Sequence, residues 1–198
     1  MMSKSQSNLF DKKRFESFFD AAFAIVLTIL VLELKIPDLH HDDFSGVLLE
    51  MKSLFPTLLS YVISFFTIGA IWMDHHTLFR YIEKINRRFM MYNLLFLFFT
   101  SLLPFTTALA AENMNDAPAV SLYGFNFLLM NLSFGNLFSY PVRHKWMENA
   151  FQNTMPWTIA SFIFIGISIP LAWVNPLLTI LSLMIATLLH IIKPETRT

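Results

Sequence analysis

Cysteine is absent from all 198 residues of the chain. Disulfides, thiolate metal sites and cysteine nucleophiles are thereby excluded, and the sequence carries no trace of a redox compartment. Glycine is scarce as well: there are five, none next to another, so no glycine-rich loop can cradle a phosphate. Charge is thin. Lys, Arg, Asp and Glu make up 14% of the chain and sum to zero, against about 25% in an ordinary soluble domain. No basic face for nucleic acid is implied. A GxSxG elbow and a hydrolase-like grouping of Ser, His and Asp are missing, so no enzyme is expected. The carbonyl-filter sequence TVGYG is missing too, and Leu122-Tyr123-Gly124-Phe125 does not replace it. Residues 1–13, MMSKSQSNLFDKK, contain no apolar stretch ending in a small-residue cleavage site, so the first helix is expected to serve as its own retained signal anchor.

What is present is apolar. Hydrophobic residues are 55% of the chain and the mean hydropathy is +0.54, which places the chain among all-α polytopic membrane proteins. Six apolar segments lie near 15–36, 53–74, 88–111, 118–140, 154–173 and 176–192. They are read as six transmembrane helices in one domain covering 1–198. Pro104 should kink the third, leaving a carbonyl for a neighbour to satisfy, and Pro176 should open the sixth after the turn Trp173-Val174-Asn175. Basic residues fall on one side. Lys4, Lys12, Lys13 and Arg14 precede the first span; Arg80, Lys84, Arg87 and Arg88 join the second and third; Arg143 and Lys145 join the fourth and fifth; Lys193 and Arg197 follow the sixth. The other side holds Lys35 and Lys52 among several acids. The positive-inside rule then puts both termini in the cytoplasm of a cell with the protein in its inner membrane.

The stretch Arg14–Pro37, RFESFFDAAFAIVLTILVLELKIP, is a spanning helix with a polar foot of Arg14, Glu16, Ser17 and Asp20. An acid at Asp20 needs a partner or an aqueous path. Arg14 and Asp20 are six apart, whereas helical neighbours that touch are three or four apart, so each is expected to pair across helices or subunits. Higher up, Ile25, Ile29 and Leu32 share one face with Thr28 beside them. That face is either ordinary packing and lipid contact or a stack of apolar rings around a symmetry axis, where a hydrophobic constriction gates by dewetting.

Trp72-Met73-Asp74-His75-His76 closes the second span at the depth of Arg14 and Asp20. Adjacent His residues point about 100° apart on a helix and do not share a metal, which is why HExxH spaces its ligands by four. No metal site is expected there; a polar network of Arg14, Ser17, Asp20, Trp72, Asp74, His75 and His76 fits better, structural or gating. His40-His41, among Asp38, Asp42 and Asp43, reads as a solvated outer turn whose acids concentrate cations at a nearby pore mouth.

The first helix resembles the signature of the endosomal and lysosomal potassium channel family, transmembrane protein 175, in its six-span bacterial form. The matching residues are Arg14, Phe18, Asp20, Ala24, Ile25, Thr28, Leu30, Leu32 and Pro37, with Trp72-x-x-His75-His76-x-x-Phe79 and the run from Asn93 to Phe105 in the next two spans. The likeness covers residues 14–107 and departs at Phe19, where the motif has serine, removing one hydroxyl from the polar foot. The resemblance implies a homotetramer in the lipid bilayer, with the first helix of each subunit lining a pore for potassium and other monovalent cations, and no cofactor beyond the permeant ion. It assigns selectivity to a ring at Ile25, further layers to Ile29 and Leu32, and hydroxyl oxygens to Thr28. Two other readings stay open: a proton channel or proton-coupled transporter using Asp20, His75 and His76 as a relay, and a non-conducting membrane scaffold.

Overall fold

The structure is a computed structural model that describes residues 11–34, 54–82, 85–144, 146 and 155–193. Pro37, Lys84, Lys145 and the acidic His40-His41 turn lie outside the described residues. The described part is all helical: α1 (Lys12–Leu30), α2 (Phe55–Tyr81), α3 (Arg87–Ser101), α4 (Leu103–Glu112), α5 (Ala117–Arg143), α6 (Met155–Val174) and α7 (Pro176–Ile192). Asp11 caps α1, its carboxylate accepting from the backbone N–H of Lys13 at 3.0 Å and of Arg14 at 3.5 Å. This satisfies donors that the first turn leaves unpaired. The helix tightens into a 3₁₀ turn at Val31–Glu33.

Among the described residues four rods are long and apolar enough to cross a membrane: Lys12–Glu33, Phe55–Tyr81, Arg87–Glu112 and Met155–Val174, with Pro176–Ile192 a shorter apolar helix. The third rod is α3 and α4 in series, broken at Leu102, with Pro104 in the first turn of α4. The break frees backbone oxygens, and the Asn126 side-chain amide of α5 donates to Phe99 O at 3.2 Å and to Thr106 Oγ1 at 3.3 Å. Pro104 thus opens a restarted helix, and the donor that α5 supplies beside the break goes to Phe99 O, not to Thr100 O, the carbonyl that a proline at 104 cannot bond.

The helix with the most buried side chains is α5. It has length enough to span at 27 residues but is not among the apolar four; it carries the polar residues Asn126, Asn131 and Ser133, which are at most 8% exposed. It packs on α3, α4, α6 and α7. At Gly124 an added Cβ would stand 2.8 Å from Ser168 Oγ, so this glycine sets how closely α5 and α6 approach. The α6–α7 hairpin turns at Asn175, which caps α7 at Leu177 N (2.9 Å). Hydroxyls hold its two arms together: Thr179 donates to Ser168 O (2.8 Å), Ser182 to Phe164 O (2.7 Å) and Ser161 to Ala186 O (3.2 Å). Between α2, α4 and α5, Ser64 lies 2.7 Å from both Thr107 Oγ1 and Tyr123 Oη. In lipid, hydrogen bonds of this kind take over where the hydrophobic effect gives no preference for helix against helix.

Candidate functional site: the first helix and its polar foot

Every third or fourth residue of α1 is sunk into the bundle: Phe19, Phe23, Val26 and Leu30 are at most 6% exposed. Another face of the helix is exposed, and the stripe formed by Ile25, Ile29 and Leu32 is 56%, 42% and 74% exposed. Thr28 shares that free side. Its hydroxyl donates back to Ala24 O and Ile25 O, both at 2.9 Å, so its proton is spoken for inside the helix and its lone pairs are left to face outward. Beside this stripe an apolar groove runs between α1 and α3, lined by Ala22, Ile25, Val26, Leu94, Leu97 and Phe98.

The foot of α1 meets the lower end of α2 in two rungs. Trp72 Nε1–H donates to Asp20 Oδ1 at 2.9 Å, and His76 Nδ1 lies 3.7 Å from Glu16 Oε1. On each helix the two partners are four apart, one turn, and the order reverses between helices, as antiparallel packing requires. Arg14 and Ser17 are exposed on α1. Among the described residues the Arg14 guanidinium has no carboxylate partner, and Asp20 is bonded to Trp72 rather than to Asp74, His75 or His76.

The next two residues of α2 turn to other helices. His75 is wholly buried, with Nε2 2.9 Å from Asn93 Oδ1 of α3. The Asn93 amide N–H donates to Phe89 O (2.8 Å), so its oxygen faces the imidazole and Nε2 must carry the proton. The other nitrogen, Nδ1, has no partner. Rings of Phe79, Phe19, Phe23 and Phe96 surround the imidazole with centroids 4.7, 5.2, 5.5 and 6.1 Å away. Phe19, at the position of the motif serine, is thus a stacking partner of His75. Asp74 points toward α7, where His190 Nε2 lies 2.8 Å from Oδ2 and Lys193 Nζ pairs with the same oxygen.

The sequence-derived network is therefore three separate joints of one turn of α2: Trp72 and His76 on α1, His75 on α3, Asp74 on α7. Among the described residues no direct hydrogen bond links Asp20 to His75. Sequence reasoning places Glu16 in the polar foot without its His76 partner, and misses the roles of Asn93, His190 and Lys193. The i, i+4 match of Glu16–Asp20 with Trp72–His76 was a usable signal for the first; nothing local points to the α7 pair.

Residues 14–104 match the sequence model of the family described as endosomal/lysosomal potassium channel TMEM175. A potassium channel of Chamaesiphon minutus is 34% identical over 130 residues, 64% of this chain and 64% of that protein. One from Streptomyces collinus is 34% identical over 125 residues, 61% and 60% of the two chains. The endosomal/lysosomal proton channel TMEM175 of Gallus gallus is 39% identical over 121 residues, which are 56% of this chain and 24% of that one. The chain thus spans roughly three fifths of the length of its curated bacterial relatives. Among solved structures, the lysosomal potassium-selective channel TMEM175 homolog from Chamaesiphon minutus superposes with a TM-score of 0.77 at 26% identity, covering 91% of this chain and 96% of that one.

Proposed function

We propose that this chain, a TMEM175 homologue by residues 14–104 and by its fold, is a potassium channel whose pore is lined by α1 and narrowed by a ring of Ile25 rather than by carbonyls. The observation that carries the reading is the two-sidedness of α1: Phe19, Phe23, Val26 and Leu30 buried, Ile25, Thr28, Ile29 and Leu32 free, all within the segment that matches the family. One helix per chain cannot enclose a pore, so the unit is a homotetramer, with α1 of one copy against the α1–α3 groove of the next. The whole chain acts as one domain in the inner membrane, both termini cytoplasmic.

An aliphatic ring offers a cation no ligand, and bare charge among carbon is strongly disfavoured. Conduction therefore needs a ring wide enough for a partly hydrated ion. Potassium then passes more readily than sodium, which holds its water more tightly, and the Thr28 oxygens one turn away replace part of what is shed. Reversal potentials of reconstituted protein under potassium/sodium bi-ionic conditions test this. A sodium-to-potassium permeability ratio of one or more, or no cation current at all, rejects it. Proton conduction is the second reading, favoured by the naming of the Gallus gallus relative as a proton channel; a reversal potential that follows the proton gradient would select it.

A further inference from the structure

We propose that the furrow between the basic ends of α3 and α5 binds an anionic phospholipid, its phosphate held by Arg88 and Arg143 and an acyl chain lying along Leu95 and Leu132. The register of the two helices brings these residues together. They run antiparallel, and Tyr92 meets Tyr140 with ring centroids 5.4 Å apart while Phe96 meets Phe134 at 5.1 Å. Continued one turn toward the ends, this register sets Arg88 level with Arg143; continued inward, it sets Leu95 level with Asn136, with Leu132 one turn deeper. At 100° per residue Arg88, Tyr92 and Leu95 fall within about 60° of one another on α3, and Arg143, Asn136 and Leu132 within about 40° on α5. On each helix the stripe is rotated in the same sense from the tyrosine that makes the contact, which in an antiparallel pair puts both stripes on one side. They are accessible there. Arg88, Arg143 and Asn136 are exposed and Tyr92 is half-buried, while Leu95 and Leu132 are each 45% exposed. Leu94 and Leu97, which line the α1–α3 groove, lie about 120° and 180° round α3 from Arg88, so a second copy seated in that groove leaves the furrow open.

Polarity changes along the furrow as it does along a phospholipid. Among the described residues neither Arg88 nor Arg143 has an ion-pair partner, and neither α3 nor α5 contains an Asp or Glu. Two guanidinium groups without a carboxylate favour a phosphate diester that carries no amine of its own, and their planar forks suit its oxygens. Trp146 stands edge-on to Tyr140 at 5.4 Å, at the height where aromatic rings meet headgroups. Seven residues inward from Arg143, about 10 Å along the axis, comes Asn136. Its backbone oxygen accepts from the Ser139 hydroxyl at 3.1 Å, but its exposed side-chain amide has no hydrogen-bond partner among the described residues. Hydrocarbon alone would leave that amide unpaired. An ester carbonyl of a lipid anchored at the arginines reaches this depth and accepts its N–H, and beyond it only Leu95 and Leu132 are left to meet the chain.

The test is native mass spectrometry of the full chain in neutral detergent, with dioleoyl phosphatidylglycerol, dioleoyl phosphatidylcholine or inorganic phosphate added. Phosphatidylglycerol should bind about tenfold more tightly than phosphatidylcholine, which is what two arginines at a membrane surface contribute once water has screened them. Inorganic phosphate should not displace it. Arg88→Gln with Arg143→Gln should abolish the preference, and Asn136→Leu should weaken both lipids alike. Lys13→Gln with Arg80→Gln, which removes two exposed cations elsewhere, should change nothing. Equal binding of the two lipids by the unaltered protein overturns the proposal, as does a preference that survives the Arg88 and Arg143 changes or falls as far with the Lys13 and Arg80 ones. Binding of neither lipid, the result if a second copy covers the furrow, overturns it too, and so does displacement by inorganic phosphate, which would show an anion site without a lipid. If the double variant does not fold, Arg143→Gln alone should cut the preference about threefold, and an unchanged preference there is refuting.

Discussion

Replacing Trp72 by Phe removes one N–H and leaves most of the ring in place. Among the described residues that N–H is the one bond from α2 to the Asp20 carboxylate, at 2.9 Å, so the loss can be sized. Hydrogen bonds to charged groups contribute about 1.5–3 kcal/mol. Trp72 is 37% exposed and water can take up part of the carboxylate's need, so the low end applies, about 1–1.5 kcal/mol. That is roughly a tenfold change in the folded-to-unfolded ratio of each subunit. A double-mutant cycle isolates it: Trp72→Phe, Asp20→Ala and the pair, each unfolded in mixed detergent micelles and followed by circular dichroism. Asp20→Ala alone should destabilise by a similar amount, and the double variant should cost no more than the worse single one, giving a coupling near 1 kcal/mol. Strict additivity, with coupling under about 0.3 kcal/mol, would mean that Asp20 is stabilised by water or by a neighbouring subunit instead, and that the α1–α2 joint is not made by this bond.

Ile25→Ala should raise sodium permeability relative to potassium and Ile25→Asn should raise conductance by keeping the ring wet, both read from bi-ionic reversal potentials and single-channel amplitude; an unchanged ratio in Ile25→Ala moves the filter to Ile29 or Leu32. Gly124→Ala should lose about 1–3 kcal/mol, the usual cost of overpacking, because its Cβ would meet Ser168 Oγ at 2.8 Å; Gly124→Ala with Ser168→Ala should recover most of that in the same unfolding assay. Asp74→Ala should destabilise more than His190→Ala or Lys193→Ala, since it strands both partners at once. Equal effects of the three would show that the α2–α7 contact is not organised by the carboxylate.

The all-helical, multi-span architecture was legible because apolar runs of membrane length are the strongest signal a sequence carries. Of α1, the Ile25, Ile29 and Leu32 face was legible from helical spacing, but not whether it was packed or free; the buried set Phe19, Phe23, Val26 and Leu30 came from the structure. The partners at the foot were legible only to the turn. Trp72 to His76 stood out as a polar segment, yet which of them would reach Asp20 depends on the rotation of α2, and that rotation is set together by contacts far along the chain, among them Asp74 on His190 and Lys193, His75 on Asn93 and Thr67 on Thr187. The role of Phe19 was hidden too. A missing serine reads as a lost hydrogen bond, whereas the ring stacks on His75 and exchanges a directional bond for packing.

The polarity of α5 has a consequence for how the protein is made. As a lone segment leaving the ribosome, Ala117–Arg143 would bring the Asn126 and Asn131 amides into lipid, where hydrocarbon offers no acceptor. Asn131 can fall back on Phe127 O of its own helix, but the acceptors of Asn126 are Phe99 O and Thr106 Oγ1, in the segment synthesised just before it. Retention of α5 by the insertion machinery is therefore tied to the arrival of α3 and α4 as a pair, and the break at Leu102 becomes a docking point during biosynthesis. A chain truncated after α5 should still integrate, whereas one whose third rod is replaced by an unbroken polyleucine helix should let α5 slip back into water.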